Sequence, residues 1–206
     1  MVEFLNIDCM TYMATCKDKQ FDLAIVDPPY GLGMSDYKRS GDIKFNMSKK
    51  WDDKIPNQEY FNELNRVSGN QIVWGGNYFT EFLKPTKGWI FWNKKQNGNL
   101  QIAEMAWTSL DNMKYFERIW QLDRNWQLEK IHPTQKPIQL YKWLLKNYAT
   151  PDMEIIDTHG GSMSLAIAGY DFGIKKLVIC EIDKEYYDDG VKRFETHKLQ
   201  QTINFG

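Results

Sequence analysis

The stretch MEIIDTHGGSMSLAIAGYDFGIKKLVICE, residues 153–181, decides the fold. Its apolar run 153–156 is followed by a glycine-rich turn, and an apolar helix is predicted over 163–170 with Gly173 as its stop. A second apolar run, 177–180, follows that helix. The order strand, turn, helix, strand is a βαβ unit, and this unit requires a parallel sheet.

The rest of the chain alternates in the same way. Further strands are predicted over 4–7, 21–26, 71–74 and 89–92, and further helices over 10–17, 58–67, 78–83, 138–148 and 183–198. This alternation favours a single α/β domain spanning 1–206, with a doubly wound, mostly parallel sheet.

Two segments interrupt the alternation. Residues 31–54 are a polar loop, and residues 93–131 are rich in aromatic side chains. Both are longer than ordinary connections, so each is a candidate functional insertion. Three tryptophans of the second segment are expected to cover the edge of the sheet: Trp107, Trp120 and Trp126.

Composition excludes several classes of protein. A hydrophobic share of 42% can fill a core, which argues against wholesale disorder. The sequence has no apolar run of the roughly 18 residues that a membrane span needs, and its first residues do not resemble a signal peptide. Three cysteines without paired spacing argue against a disulfide framework and a structural metal site. We therefore expect a soluble, cytoplasmic protein with no metal centre.

Acidic side chains follow four predicted strands. They are Asp8, Asp27, Asp157 and Glu181. Ligands of doubly wound sheets bind outside the carboxyl ends of the strands. The glycine turn after Asp157, followed 24 residues later by Glu181, suggests an adenosine-containing ligand whose ribose the glutamate holds. A tight turn with a helix cap explains the glycines equally well.

The tetrapeptide Asp27-Pro28-Pro29-Tyr30 is the sharper signal. The prolines fix φ and hold the preceding residues extended, so that the Pro28 carbonyl and the Asp27 carboxylate are presented together. Two adjacent acceptors beside an aromatic ring suit a flat heterocycle that carries an amino group. A proline turn that merely closes a strand is the alternative.

A third motif, His132-Pro133-Thr134-Gln135-Lys136-Pro137, precedes a predicted helix. Pro137 suits a first helical turn, and Thr134 is a candidate cap. Lys136 is placed where it could meet a ligand carboxylate.

In this order, the three motifs resemble those of amino-methylating DNA methyltransferases of the beta arrangement. The segments WGGNY (74–78) and WIFWNK (89–94) resemble central strands of small phage-type members. The resemblance covers nearly the whole chain. It implies a Rossmann-like fold dependent on S-adenosylmethionine, and adenine N6 as the methylated atom, as in restriction-modification enzymes.

The resemblance also implies roles for individual residues. Asp27, Pro28, Pro29 and Tyr30 would hold the target base. The cofactor would be bound by Asp8, Cys9, Thr134, Lys136, Asp157, Thr158, Gly160, Ser162 and Glu181. Neither a metal nor a covalent nucleophile is required.

The chain departs from the family pattern at its glycine turn. Met163 stands where a glycine is usual, and Thr158 and His159 replace the commoner Pro-Phe. The Met163 side chain either crowds the cofactor or packs beneath the turn. Three alternatives stay open: methylation of cytosine N4, methylation of RNA or a protein glutamine, and a catalytically impaired DNA-binding subunit.

DNA contact is expected from the basic run 37–50, which lies within the candidate insertion 31–54. The run contains Lys38, Arg39, Lys44, Lys49 and Lys50, against Asp42 alone. The other candidate DNA-contacting insertion, 93–131, has about 39 residues, which is small for a lobe that reads several base pairs. We therefore also expect a short or degenerate target sequence, or a homodimer that supplies additional surface.

Overall fold

The computed structural model describes residues 1–32, 52, 54–95, 102–117 and 130–204. Eight strands of these residues form one sheet: β1 (Val2–Leu5), β2 (Phe21–Val26), β3 (Ser68–Trp74), β4 (Trp89–Asn93), β5 (Ala103–Thr108), β6 (Lys114–Glu117), β7 (Glu154–Asp157) and β8 (Lys176–Cys180). The α-helices among them are α1 (Cys9–Met13), α2 (Gln58–Val67), α3 (Ile138–Tyr148), α4 (Ser164–Phe172) and α5 (Lys184–Asn204).

The strand order is β1-β8-β7-β2-β3-β5-β4-β6. Neighbours from β1 to β3 pair in parallel, and β4 pairs in parallel with β6. Strand β5 is antiparallel to both β3 and β4. The prediction of an α/β, mostly parallel sheet is therefore confirmed.

Helices cover both faces of the sheet. Side chains of β2 alternate between the two faces, since Leu23 and Ile25 belong to one buried cluster and Ala24 and Val26 to the other. The first cluster contains residues of α3, α4 and α5, and the second contains residues of α1 and α2. A sheet with helices on both faces is doubly wound, as predicted.

Local sequence explains where the helices of the βαβ unit begin and end. Gly173 ends α4 with φ of 80°, a left-handed conformation that favours glycine. The Asp183 carboxylate accepts hydrogen bonds from the backbone N–H groups of Glu185 and Tyr186, both at 3.0 Å, at the start of α5. Both signals were visible in the sequence.

Several predicted bounds were wrong. The first strand lies at Val2–Leu5 rather than 4–7, and the first helix ends at Met13 rather than 17. Instead of a helix over 78–83, the structure has a short 3-10 helix, Gly76–Tyr78. Gly75 precedes it with φ of 68°, so the chain turns sharply as it leaves β3.

The segment 93–131 contains two strands of the sheet, which the sequence analysis did not predict. Strand β5 lies in the sheet interior, so Trp107 is buried in a central strand and does not cover an edge. Trp120 and Trp126 lie outside the described residues. Strand β5 was missed for two reasons. Residues 94–102 separate it from β4, and Glu104 interrupts its apolar pattern. Residues 103–108 and 114–117 are therefore part of the sheet and not of an insertion, in contrast to the prediction for 93–131.

Within the described part of the chain, no helix has the length and apolar character needed to cross a membrane. Nearly all of the predicted basic loop, including Lys38, Arg39, Asp42, Lys44, Lys49 and Lys50, lies outside the described residues.

Candidate functional site

The predicted acidic residues lie at one edge of the sheet. Strands β1, β8, β7, β2 and β3 run in the same direction, so their carboxyl ends meet at what we call the carboxyl edge. Asp8, Asp27, Asp157 and Glu181 lie at the ends of these strands or just beyond them. Because β5 runs the other way, it begins at this edge, and its first residues bring Glu104 there.

The tetrapeptide is held by its own hydrogen bonds and by an aromatic contact. The Tyr30 hydroxyl donates to Asp27 Oδ1 at 2.6 Å, and the Tyr30 ring stacks on Tyr78 with centroids 5.1 Å apart. Gly75 allows this approach, because a Cβ there would lie 2.2 Å from Tyr30 Cε1. Asp52 accepts from the Tyr30 and Gly31 backbone N–H groups at 2.8 and 3.0 Å. Backbone and side chain of Tyr30 are thus both fixed.

Lys136 reaches the tetrapeptide from the other end of the chain. Its side chain is buried, and its ammonium forms an ion pair with Asp27 Oδ2. The same nitrogen lies 3.3 Å from the Tyr30 hydroxyl and 3.4 Å from Glu104 Oε2. Lys94 forms an ion pair with the other oxygen of Glu104. The ammonium of Lys136 therefore faces the predicted base-binding residues, and its predicted contact with a cofactor carboxylate stays a prediction.

The charges of this cluster stabilise one another. Burial alone would lower the pKa of Lys136, but the carboxylates of Asp27 and Glu104 raise it on balance. Burial would raise the pKa of Glu104, but Lys136 and Lys94 lower it on balance. The pKa of Tyr30 lies well above its ordinary value because of burial and of the Asp27 charge. At neutral pH, Lys136 and Glu104 are charged, and Tyr30 keeps the proton that it donates.

The glycine turn after β7 is bonded to the end of β8. Gly160 N–H donates to the Cys180 carbonyl at 2.9 Å, and Gly161 N–H donates to Glu181 Oε2 at 2.8 Å. The second oxygen of Glu181 accepts from Asp183 N–H at 2.8 Å. The carboxylate predicted to hold a ribose is thus oriented by two backbone donors.

Met163 packs beneath this turn. It is fully buried and adopts φ of 56°. A Cβ added at Gly160 would lie 2.9 Å from its Sδ and Cε, and one added at Gly190 of α5 would lie 2.5 Å from its Cγ. The side chain therefore occupies the space between the turn and α5, and of the two predicted positions the structure shows the one beneath the turn.

Asp157 and Thr158 lie in a hydrogen-bonded chain at the end of β7. Asp157 Oδ1 accepts from His159 N–H at 3.0 Å, and the Thr158 hydroxyl lies 2.7 Å from the Tyr60 hydroxyl and 2.9 Å from His159 Nδ1. Burial raises the pKa of Asp157 to about 7 and lowers that of His159 to about 4. Both groups are therefore mostly uncharged between about pH 5 and about pH 6.

The remaining predicted cofactor residues have local partners. Asp8 caps α1, since its Oδ1 accepts from Thr11 N–H at 2.9 Å. Burial, followed by the Asp8 charge, raises the pKa of Cys9 to about 12, so its thiol is not a nucleophile at neutral pH. The Ser162 hydroxyl lies 3.0 Å from that of Ser164.

The prediction that Thr134 caps α3 was wrong. Its backbone N–H and its hydroxyl lie 3.3 and 3.2 Å from His132 Nδ1, and the helix has Pro137 at its N-cap without a side-chain hydrogen bond. The two prolines of the motif keep this segment out of helical geometry until residue 138.

Four site residues were not predicted: Lys94, Glu104, Asp52 and Tyr60. Glu104 had a signal, because a glutamate within an otherwise apolar strand requires a partner when it is buried. Among the described residues, no group of three or more side chains could hold a metal ion.

Comparison with known proteins gives a family and a fold. A model of the N6/N4 methyltransferase family, described as DNA methylase, matches residues 69–192. A protein described as a methylase, YubD of Escherichia coli K12, is 22% identical over 217 residues, which are 94% of this chain and 90% of YubD.

Two solved structures share the fold. M1.HpyAVI in its SAM complex has a TM-score of 0.59 and 17% identity, over 94% of this chain and 98% of that chain. The cytosine-N4-specific PvuII DNA methyltransferase has a TM-score of 0.62 and 13% identity, over 94% and 86% of the two chains. The family match extends over more than half of the chain and includes the glycine turn, Lys136 and Glu181. The chain therefore belongs to the N6/N4 DNA methylase family.

Proposed function

We propose that the protein transfers a methyl group from S-adenosylmethionine to the amino group of a base flipped out of DNA, and that this base is adenine, methylated at N6. The observation that carries the proposal is the position of the Asp27 carboxylate. It lies beside the Tyr30 ring at the end of β2, two strands along the sheet from the end of β8, where Glu181 meets the glycine turn. Family membership supports the reaction class.

The base side of the site accounts for activation of the amino group. The lone pair of adenine N6 is delocalised into the ring and attacks poorly. Hydrogen bonds from the amino group to the Asp27 carboxylate and the Pro28 carbonyl favour a more pyramidal, nucleophilic nitrogen. Preorganised acceptors of this kind act strongly in a site from which water is excluded.

The aromatic ring offsets part of the cost of base flipping. Extruding a base from a duplex costs a few kcal/mol. Stacking of a base on an aromatic side chain contributes about 1–3 kcal/mol. Tyr30 is suited to this contact because Tyr78 stacks on it and Asp27 holds its hydroxyl.

The opposite side of the site fits an adenosine cofactor. S-adenosylmethionine, when bound, supplies an electrophilic methyl group. Among the described residues, the nearest that a Cβ at Gly161 would meet is the His132 ring at 3.9 Å, so this side of the turn has room for a ligand. Glu181 would accept hydrogen bonds from the ribose hydroxyls. The other proposed cofactor residues are Asp8, Cys9, Thr134, Lys136, Asp157, Thr158, Gly160 and Ser162.

Adenine is preferred to cytosine because the tetrapeptide begins with Asp27 where enzymes of the other specificity more often carry serine. The similarity in fold to the cytosine-N4-specific PvuII enzyme supports N4-methylcytosine as the second candidate product. The alternative of a catalytically impaired DNA-binding subunit assumed that Met163 blocks the cofactor. It is disfavoured because Met163 is buried between the glycine turn and α5.

Product analysis tests this proposal. The protein would be incubated with isotopically labelled S-adenosylmethionine and unmethylated DNA, and the digested nucleosides separated. We expect the label in N6-methyladenine. Label in N4-methylcytosine would keep the mechanism and overturn the choice of base, and transfer to RNA or protein but not to DNA would overturn the proposal.

Replacing Glu181 tests the cofactor side. We expect Glu181→Ala to weaken S-adenosylmethionine binding by about 1–3 kcal/mol, the range for losing a charged hydrogen-bond partner. Calorimetric titration measures this, with Glu185→Ala as the control, because Glu185 is an exposed glutamate four residues further on. Unchanged affinity in folded Glu181→Ala would remove this residue from the site.

Replacing two lysines tests the DNA side. Lys49 and Lys50 lie outside the described residues, but they follow the tetrapeptide in a chain whose formal net charge is −1. Changing both to Ala should weaken DNA binding and make its salt dependence shallower by about 1–2 in log–log slope. Fluorescence anisotropy at several salt concentrations measures the slope. An unaltered slope would assign phosphate contact to another surface.

A homodimer and a cytoplasmic location stay predictions. Sedimentation of the free protein over a wide concentration range tests the first, and a strict monomer at high concentration would contradict it.

A further inference from the structure

Four charged side chains of alternating sign form a line that begins at the tetrapeptide. Asp27 pairs with Lys136, Lys136 lies 3.4 Å from Glu104, and Glu104 pairs with Lys94. The exposed fractions of these side chains are 18%, 3%, 15% and 13%, respectively. We call this line the charge quartet. Asp27 follows β2, Lys136 precedes α3, Glu104 belongs to β5 and Lys94 follows β4, so three strands and a segment distant in sequence must pack together to assemble it.

The quartet controls the surroundings of the Asp27 carboxylate. One oxygen accepts from the Tyr30 hydroxyl and the other from the Lys136 ammonium. A carboxylate has about four acceptor sites on its two oxygens, so Asp27 can still accept an amino hydrogen of a base. The strength of that hydrogen bond depends on how strongly the Lys136 ammonium interacts with Asp27 rather than with another carboxylate.

Glu104 is a second carboxylate that interacts with the Lys136 ammonium. The Lys136 ammonium lies between the Asp27 and Glu104 carboxylates, over the Trp74 ring at 5.3 Å and the Tyr30 ring at 5.7 Å. A buried ammonium with one carboxylate partner would pair with it fully. With a second carboxylate opposite, the attraction is shared, and the ammonium is restrained from both sides.

Glu104 itself is fixed by its surroundings. Lys94 pairs with Oε1, while Oε2, which lies 3.4 Å from the Lys136 ammonium, has no hydrogen-bond partner among the described residues. Lys94 lies over the Trp92 ring at 5.0 Å, and Trp92 makes an edge contact with Trp74. The two indole rings thus hold both ammonium groups of the quartet, and Glu104 is the carboxylate between them.

We propose that Glu104 is a positioning residue for methyl transfer, which shares the Lys136 ammonium so that the Asp27 carboxylate keeps both its place and its capacity to accept the target amino group. This inference rests on the proposed function of Asp27. Glu104 acts through Lys136 and is not expected to touch the base or the cofactor.

Loss of the Glu104 charge has a predictable effect on pH dependence. The titratable groups close to Lys136 or to its two carboxylate partners are Asp27 and Tyr30 just after β2, Lys94 after β4, Glu104 of β5, Tyr141 of α3 and Asp157 of β7. The Lys136 ammonium also lies over the Trp74 ring of β3. Glu104 is one of the two carboxylates that raise the pKa of Lys136 against the effect of burial. Without its charge, Lys136 loses its proton at lower pH, so the alkaline limb of the rate profile moves to lower pH.

The experiment compares Glu104→Gln, Glu104→Asp and the control Glu117→Gln. Glu117 of strand β6 forms a similar ion pair with Lys95 at 2.8 Å, but both side chains of this pair are about 40% exposed. We expect Glu104→Gln to lower kcat about tenfold, as for loss of an interaction made only in the transition state, with the KM values for DNA and cofactor changed less than about twofold. Glu104→Asp should recover part of the rate, and Glu117→Gln should match the wild type.

Two outcomes would overturn the proposal. One is a folded Glu104→Gln protein with the wild-type kcat and pH profile, and the other is an increase in KM that accounts for the whole loss. If Glu104→Gln does not fold, the charge-balanced variant Glu104→Gln with Lys94→Met gives the same comparison.

A second measurement separates this proposal from the proposed function. Tryptophan fluorescence, titrated to alkaline pH with Trp74→Phe to identify the signal, reports the Lys136 charge over the Trp74 ring without any turnover. A lower midpoint in Glu104→Gln supports the quartet even if the wild type methylates no DNA. An unchanged midpoint refutes charge sharing even if the wild type is active.

Discussion

Asp27→Ala should reduce turnover at least about a hundredfold, the lower end for losing one preorganised transition-state contact. The Asp27 carboxylate is the acceptor proposed for the target amino group, and no other carboxylate among the described residues contacts the Tyr30 hydroxyl. The fold should survive, because Lys136 keeps Glu104 as an anionic partner. Cofactor affinity should change little, since Glu181 and the glycine turn belong to other strands. Single-turnover kinetics and calorimetric titration measure the two effects.

Variants at the same site separate charge from shape. Asp27→Asn keeps the size of the side chain and should be nearly as slow as Asp27→Ala, because the amide is a weaker acceptor than the carboxylate. Tyr30→Phe should be mild if the ring acts by stacking, whereas Tyr30→Ala should lower the rate far more. A fully active Asp27→Ala enzyme would refute the mechanism.

Asp157→Asn should make the protein more stable than the wild type at pH 8, and this gain should disappear towards pH 4. Burial raises the pKa of the folded carboxyl to about 7, so between pH 4 and pH 7 the folded state holds a proton that the unfolded state has released. The contribution of Asp157 to stability is therefore complete below about pH 4 and is lost as the pH rises through 7. At about 1.4 kcal/mol per tenfold change in proton affinity, the rise of the pKa from 3.8 to about 7 corresponds to a loss of about 4 kcal/mol.

The comparison must be made as a difference between proteins, because His159 acts in the opposite direction. Burial lowers its pKa to about 4, so its contribution to stability grows as the pH rises from 4 to 6.5. Chemical denaturation of wild type and Asp157→Asn at a series of pH values cancels this contribution. The exposed Asp189 of α5 supplies the control Asp189→Asn. A difference between Asp157→Asn and wild type that does not change with pH would show that the buried carboxyl is ionised throughout.

The sequence predicted the parallel half of the sheet well and the antiparallel part poorly. Strand β2 and helices α2 and α3 were placed at their observed bounds, because buried strands and amphipathic helices have distinct periods. Strands β5 and β6 were missed. They are stabilised by pairing with β3 and β4, and such distant partners leave no periodic signal in a short strand.

The site was predicted in the same uneven way. Strand order brings Asp27, Asp157 and Glu181 to one edge, and that follows from the βαβ pattern alone. The pairing of Lys136 with Asp27 could not be predicted, because the two residues are 109 positions apart and meet only through the packing of the segment before α3. Glu104 was missed because its strand was not predicted: it lies at the start of a strand that runs in the opposite direction, so the rule about carboxyl ends of parallel strands does not point to it.

The backbone N–H groups of Tyr30 and Gly31 both donate to Asp52. The chain between Gly31 and Asp52 can therefore be exchanged for another segment without moving the tetrapeptide. Its two ends are joined beside the tetrapeptide, and the entropy of closing a loop rises only slowly with length, by about 0.6 kcal/mol per doubling. Segments of different length and charge could therefore replace residues 33–51 while Tyr30 stays in place. In the proposed arrangement, in which this segment contacts DNA, the preference for a DNA sequence can change with the segment while the chemistry at the strand ends stays the same.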